Sequence, residues 1–308
     1  MNNAVAVVGE GVIDRFVAPD GSTDVIGGSP LNTAVALRRA GVEAHWWGRM
    51  SSGPEGSALI EYAQSNNVDG VGIHTVDQSA TIVTIRLDQN GVPTYGFHLE
   101  GAADWGWSES ELDGLQNYSI VQVGSLATVI EPGSTALLRK LQTLANSPSK
   151  PLISFDPNAR PSAFPREHDA QHVRGRVAQF VQISDLVKVS DEDLVWLHPG
   201  IDPHVSAATW STQGPSLVVM TRGEAGAIAF REGMPISSIP GVKTHVVDTV
   251  GAGDTFMAWL LRGIVRDHHN RLPTEISSIS VLLEQAASAA AITCSRAGCN
   301  PPLYLEVL

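Results

Sequence analysis

A chain of 308 residues is long enough for one large α/β domain, and 43% apolar with 17% charged residues is ordinary globular composition, which excludes a fibre or a disordered tail. With 20 Lys and Arg against 32 Asp and Glu the formal net charge is −12, and no segment concentrates basic residues. That balance argues for no nucleic-acid partner but leaves room for a small phosphate ligand, which needs only a few local N–H groups.

In chain order, MNNAVAVVGEGVIDRF has no basic leader and reads as a buried first strand broken by glycines. TAVALRRAG (33–41) has helical periodicity. TIVTIRLDQNGVPTYGFHLE (81–100) alternates around QNG at 89–91, a hairpin signal, and is expected to form two antiparallel strands outside the main sheet, joined by the segment near 11–25. Buried strands are then expected at SIVQVGSL (119–126), PLISFDPN (151–158), DLVKVS (185–190) and SLVVMTRG (216–223), each ending in a polar or glycine-bearing tip. Helices are expected at STALLRKLQTLAN (134–146) and EISSISVLLEQAASAAAITCSRAG (275–298). Alternating strands and helices make this an α/β chain with a mostly parallel sheet, helices on both faces and ligands beyond the carboxyl ends of the strands. We expect one domain spanning 1–308, since no linker or repeat divides it. Cys294 and Cys299 suit a reducing cytoplasm, and no stretch reaches the roughly 20 apolar residues of a membrane span.

Several motifs fall at those strand ends. In GGSPLNTAVALRRAG (27–41), Gly28 permits close backbone approach and Asn32 sits at a helix mouth; a capped turn explains the same residues. Asp14 lies just after the first strand, where a carboxylate is either a ligand or merely solvated. FDPNAR places Asp156, Asn158 and Arg160 at one tip, with Arg suited to bidentate phosphate recognition, although an Asx-Pro turn needs the same residues. KVSDEDL sets Ser190 and Asp193 where oxygen ligands could hold Mg²⁺ through water, or where an acidic first turn favours a helix dipole. The glycines of TRGEAGA, Gly223 and Gly226, admit a nucleotide or make a hairpin. DTVGAGDTF is the most specific: with Gly251, Ala252 and Gly253 as a first helical turn, their N–H groups form an anion cradle, and Asp254 at its edge can take a proton from a hydroxyl. Neither a Walker loop nor GxGxxG occurs.

In GGSPLNTA, FDPNAR, KVSDEDL, TRGEAG and DTVGAGDTF with its trailing CSRAGCNPP, the chain resembles the ribokinase-like (PfkB) carbohydrate kinases over nearly its whole length, and among them the fructokinase-like members. The resemblance implies a three-layer αβα sandwich with a small β-sheet lid from segments 11–25 and 81–103. It implies transfer of the ATP γ-phosphoryl group to a sugar hydroxyl, most nearly of fructose. Kinases for 2-keto-3-deoxygluconate, ribose, inositol or nucleosides are the same-class alternatives, and a non-catalytic binding relative is the different-class one. By the same resemblance, Asp254 is the base; the backbone of Gly251, Ala252 and Gly253 is the anion hole; Asp14, Gly28, Asn32 and Phe97, with Asp156, Asn158 and Arg160, hold the sugar; and Lys188, Thr221, Gly223 and Gly226 serve ATP. Ser190 and Asp193 would hold Mg²⁺ through water, Asp248 a monovalent cation such as K⁺, and the lid a homodimer contact. Trp105 and Trp107, near the lid's end, serve an interface, the sugar pocket or core packing. Two departures stand out: Ser190 and Asp193 replace the commoner NxxE pattern, and GRMSSGPEG (48–56) lacks a glycine and an aspartate of the family's usual form.

Overall fold

The structure is a computed structural model that describes residues 2–70, 72–87 and 93–307. Its strands are β1 (Asn2–Val8), β2 (Val12–Ala18), β3 (Gly21–Gly27), β4 (Ala44–Trp47), β5 (Arg49–Ser51), β6 (His74–Val76) and β7 (Ile82–Leu87), then β8 (Pro93–His98), β9 (Tyr118–Gly124), β10 (Leu152–Asp156), β11 (Leu186–Ser190), β12 (Leu217–Thr221), β13 (Ala227–Arg231) and β14 (Met234–Ile239). The helices are α1 (Ser29–Arg39), α2 (Pro54–Ser65), α3 (Gly133–Ala145), α4 (Glu167–Ile183), α5 (Asp191–Leu197), α6 (Pro203–Trp210), α7 (Ala252–Asp267) and α8 (Ile276–Cys294).

Eight strands form the central sheet in the order β14-β13-β12-β11-β10-β9-β1-β4. The run from β12 to β4 is parallel, and β13 and β14 add an antiparallel edge. The parallel registers bring Gly124, Asp156, Ser190 and Thr221 to one edge of the sheet. Alternation along the strands sorts the core: Val5, Val7, Ile120 and Val219 pack with α1, α7 and α8, while Ala6, Val8, Val121, Phe155 and Val187 pack with α3, α4 and α6. Each Val or Leu fully buried this way contributes about 1.5–3 kcal/mol.

A second sheet, β3-β2-β7-β8, stands outside the sandwich. The expected strands near 11–25 and 81–100 thus pair, β2 with β7 in parallel and each with its own hairpin partner. The QNG turn at 89–91 lies outside the described residues. Beyond His98 the chain leaves this sheet, so the second lid segment ends as strand before the expected 103.

Three helix boundaries differ from expectation. α1 starts at Ser29, ahead of 33, because Pro30 is tolerated in a first turn, where its missing N–H costs nothing. α7 starts at Ala252, with Gly251 as its N-cap in the left-handed region, φ 77°. α8 ends at Cys294, four residues early. By length and composition α8 is apolar enough to cross a membrane, contrary to the sequence reading; its Ile279, Leu282, Leu283 and Ala286 are buried in the core that it shares with α7. Trp105 and Trp107 are each 3% exposed, so they are packing residues.

Candidate active site

At the polar edge of the sheet the N-termini of α1 and α7 converge on one carboxylate. Asp254, in the first turn of α7, is buried; its Oδ1 accepts from Ser29 Oγ at 2.6 Å and its Oδ2 from Asn32 Nδ2 at 2.9 Å. Burial pushes its pKa above the ordinary carboxylate value, against the lowering effect of those two donors. The other acceptor of that amide, Asn32 Oδ1, is buried without a hydrogen-bond partner among the described residues. A site with an unused buried acceptor is built to receive a donor.

The cradle beside Asp254 departs in one respect from the expected set. The N–H of Ala252 donates to the Thr249 carbonyl at 3.2 Å. Among the described residues the N–H groups of Gly251, Gly253 and Asp254 have no acceptor, so the open donors are those three and not 251 to 253. A Cβ at 251 would meet Cys299 Sγ at 2.2 Å, and one at 253 would meet Lys188 Nζ at 3.0 Å. Gly251 is therefore required both by close approach and by its φ, whereas a side chain at 253 would press on the Lys188 ammonium.

Lys188 comes up from β11 beneath the cradle. It is 4% exposed and donates to Asp156 Oδ2 at 2.7 Å. Burial, the largest single influence, works against its charge, but the charge and hydrogen bond of Asp156 together with Asp254 and Asp193 raise its pKa and hold the ammonium protonated. This places Lys188 between Asp156 and the Gly253 backbone, within the electrostatic reach of Asp254. The N–H of Asn158 donates to Asp156 Oδ1 at 3.2 Å, and Asn158, at φ 40°, donates from Nδ2 to Ser125 Oγ at 3.4 Å.

Opposite lies the inner face of the lid. Asp14 shares one face of β2 with Val12 and Phe16, and Phe97 packs on the cluster of Val12, Val83 and Ile85. Burial raises the pKa of Asp14, while the nearby guanidinium of Arg160 lowers it; Arg160 itself is exposed. Gly28, at φ 106°, lies against the chain between β1 and β2: a Cβ there would sit 2.7 Å from the Glu10 carbonyl. The β2–β3 hairpin thus carries Asp14 on one limb and leads from the other through Gly28 to Ser29, which bonds Asp254.

A family model for the pfkB family carbohydrate kinases matches residues 5–304. The chain belongs to this family. It is 32% identical over 266 residues to a fructokinase of Rhizobium leguminosarum bv. trifolii, covering 84% of this chain and 79% of that protein. It is 30% identical to fructokinase-1 of Oryza sativa subsp. japonica, covering 91% and 86%. Among solved structures, a fructokinase from Xylella fastidiosa with bound ATP superposes with a TM-score of 0.87 at 20% identity, over 100% of this chain and 98% of that one. A fructokinase from Vibrio cholerae in fructose-, ADP- and potassium-bound form gives 0.80 at 22% identity, over 96% and 93%. The ribokinase-like αβα fold expected from the motifs is therefore present, and the chain is a carbohydrate kinase.

Other predicted residues of this pfkB-family chain are spread along the same edge. Thr221 ends β12, and Gly223 (φ 51°) and Gly226 (φ 89°) form the turn of the antiparallel β12–β13 hairpin. Gly226 is dictated by packing, since a Cβ would lie 2.1 Å from the Ile239 carbonyl. Ser190 and Asp193 form a reciprocal capping box at the start of α5. Burial and the neighbouring Asp156 raise the pKa of Asp193, a crowding of carboxylates that a cation relieves, so the donor set fits a water-mediated divalent ion. Asp248 accepts from Val250 N–H at 3.0 Å and Gly298 N–H at 2.9 Å, tying the loop before α7 to the 298 turn.

Sequence reasoning missed Ser29, which reads there as an ordinary helix-start serine. It also missed two carboxylates behind the site. Glu10 accepts from the N–H groups of Leu126 and Ala127 at 3.3 and 3.1 Å. Asp104, 3% exposed, accepts from Thr81 Oγ1 at 2.6 Å at the root of β7. Burial pushes the Asp104 pKa up to about 7.

Proposed function

We propose that this carbohydrate kinase transfers the γ-phosphoryl group of ATP to a hydroxyl of fructose. The observation that carries the reading is the buried Asp254 carboxylate beside three open N–H donors at the start of α7. The sugar lies between Asp14 and Phe97 of the lid and Gly28, Asn32 and Asn158 of the sandwich, with Asn32 Oδ1 accepting from one of its hydroxyls. Asp254 takes the proton of the reacting hydroxyl as its oxygen bonds to the γ-phosphorus; the bond from phosphorus to the β–γ bridging oxygen breaks, and ADP leaves with that electron pair. The N–H groups of Gly251, Gly253 and Asp254 stabilise the charge on the phosphoryl oxygens, the term that dominates such reactions. Lys188, held charged by Asp156, adds positive potential beneath the same cradle. The 220s turn and Thr221 border the nucleotide. Ser190 and Asp193 would hold Mg²⁺ through water, and the ion would supply neutralisation of the phosphates; Asp248 would serve K⁺ beside the loop that it ties down.

A second reading has one specific observation behind it. The exposed Arg160 guanidinium next to Asp14 suits an acidic sugar such as 2-keto-3-deoxygluconate. A coupled ADP-release assay over fructose, other neutral sugars and polyols, nucleosides and this sugar acid separates the readings. Fructose is expected to give the highest kcat/KM; a preference for the acid would transfer the assignment to it. No ADP from any of them would overturn the reading.

A further inference from the structure

Outside the active site a concavity lies at the opposite, amino edge of the sheet, with a volume of about 750 Å³. It is lined by residues that precede β10, β11 and β12 and by the segment that joins α7 to α8. Pockets of about 300–1,000 Å³ take small metabolites. In a chain of net charge −12, this one gathers Lys150, Arg231 and Arg271 against Asp185 and Glu232.

The state of each charge matters. Asp185 is already satisfied, since its Oδ1 accepts from Lys150 Nζ at 2.5 Å and its Oδ2 from the Ile153 N–H at 2.9 Å. Arg231 donates only to carbonyls, those of Ser216 at 3.3 Å, Thr274 at 2.9 Å and Pro273 at 2.7 Å. Carbonyls fix the guanidinium in place but carry no formal charge, and Arg231 makes no ion pair among the described residues. Arg271 is exposed and makes no side-chain hydrogen bond or ion pair among the described residues. Arg231, anchored by carbonyls, and Arg271, without a side-chain partner among the described residues, line the same cavity, and two guanidinium charges so placed suit an oxyanion.

We propose that this cavity is a regulatory site for a phosphate-bearing small metabolite, with Arg231 and Arg271 as the phosphate-binding pair. Three elements lead from it to the catalytic edge. β10 begins beside the cavity and ends at Asp156; β11 begins at Asp185's neighbour and ends past Lys188. α7, about 24 Å long at 1.5 Å per residue, starts at the cradle and runs into the 268–274 segment. An anion that tightens that segment bears on the far end of the helix that carries Asp254.

The test is calorimetric titration of the full chain with inorganic phosphate, a hexose 6-phosphate and adenosine 5′-monophosphate, repeated on Arg271→Glu and Arg231→Lys. Binding of at least one probe is expected, weakened about 10-fold or more in Arg271→Glu and less in Arg231→Lys, which keeps the charge but loses the fork. Which probe binds tightest separates a free phosphate from a sugar- or nucleotide-borne one. In the absence of probe, Arg271→Glu should retain wild-type kcat and KM, and only the wild-type rate should respond to added probe. No binding by any probe, or equal binding in Arg271→Glu, would overturn the proposal. Binding that ATP or fructose abolishes in both proteins belongs to the active site and would overturn it too. Because binding is read directly, a failure here is distinct from a failure of the kinase assignment.

Discussion

Ser29 Oγ donates to Asp254 Oδ1 across 2.6 Å and 225 positions of sequence. This bond, with its partner from Asn32, orients the proposed base between two helix N-termini, whose dipoles favour the carboxylate form even as burial disfavours it. Removing the base should be far more costly than removing its support. Asp254→Asn is expected to lower kcat by about 10²–10⁴-fold with ATP affinity nearly unchanged, read by coupled ADP release and nucleotide titration. Wild-type turnover in that variant would exclude Asp254 as the base.

Ser29→Ala removes one of the two donors and leaves the carboxylate in place. A drop of about 10-fold in kcat is expected, with a pH–rate profile shifted to higher pH because a stabiliser of the ionised form is lost. An unmoved profile would mean that Ser29 does not tune the Asp254 carboxylate.

Gly251 is tested by crowding. Gly251→Ala places a methyl 2.2 Å from Cys299 Sγ in a left-handed conformation that alone costs an L-residue about 1–2 kcal/mol. Thermal unfolding should show destabilisation beyond that amount, and Cys299→Ala in the same chain should recover part of the excess, because the Cys299 Cβ at 2.9 Å remains. Recovery of nothing would show that the loop moves aside.

Asp104 makes stability depend on pH with an unusual sign. Its pKa rises from 3.8 to about 7 on folding, so between those values the folded protein holds a proton that the unfolded chain has released. Its contribution is therefore full below pH 4 and is lost as pH climbs through 7, by up to about 4 kcal/mol. Asp104→Asn should flatten this slope in urea denaturation measured from pH 5 to pH 8, and an unchanged slope would assign it to other groups.

Much of this was legible in the residues. β-branched runs ending in polar tips located the parallel strands at β9 to β12, and the alternation of 81–100 located the lid, because both patterns record burial directly. What the sequence could not carry was distance. Ser29 looks like any helix-start serine until the fold sets it on Asp254, and Lys188 looks like one cationic residue among 20 Lys and Arg until β11 buries it against Asp156. The cradle was off by one position for a local reason: Ala252 N–H turns back to Thr249, a bond that glycine spacing does not reveal. Trp105 and Trp107 were ambiguous because indoles serve cores and surfaces alike.

The hairpin of β2 and β3 bears Asp14 on one limb and runs directly from the other into Gly28, Ser29 and α1. The proposed sugar contact and the hydroxyl that orients the proposed base are thus joined by covalent chain, not merely by proximity. Any displacement of the β3 limb is passed by that continuity to Ser29, so the outer sheet and the carboxylate at the start of α7 are mechanically linked through a single peptide segment.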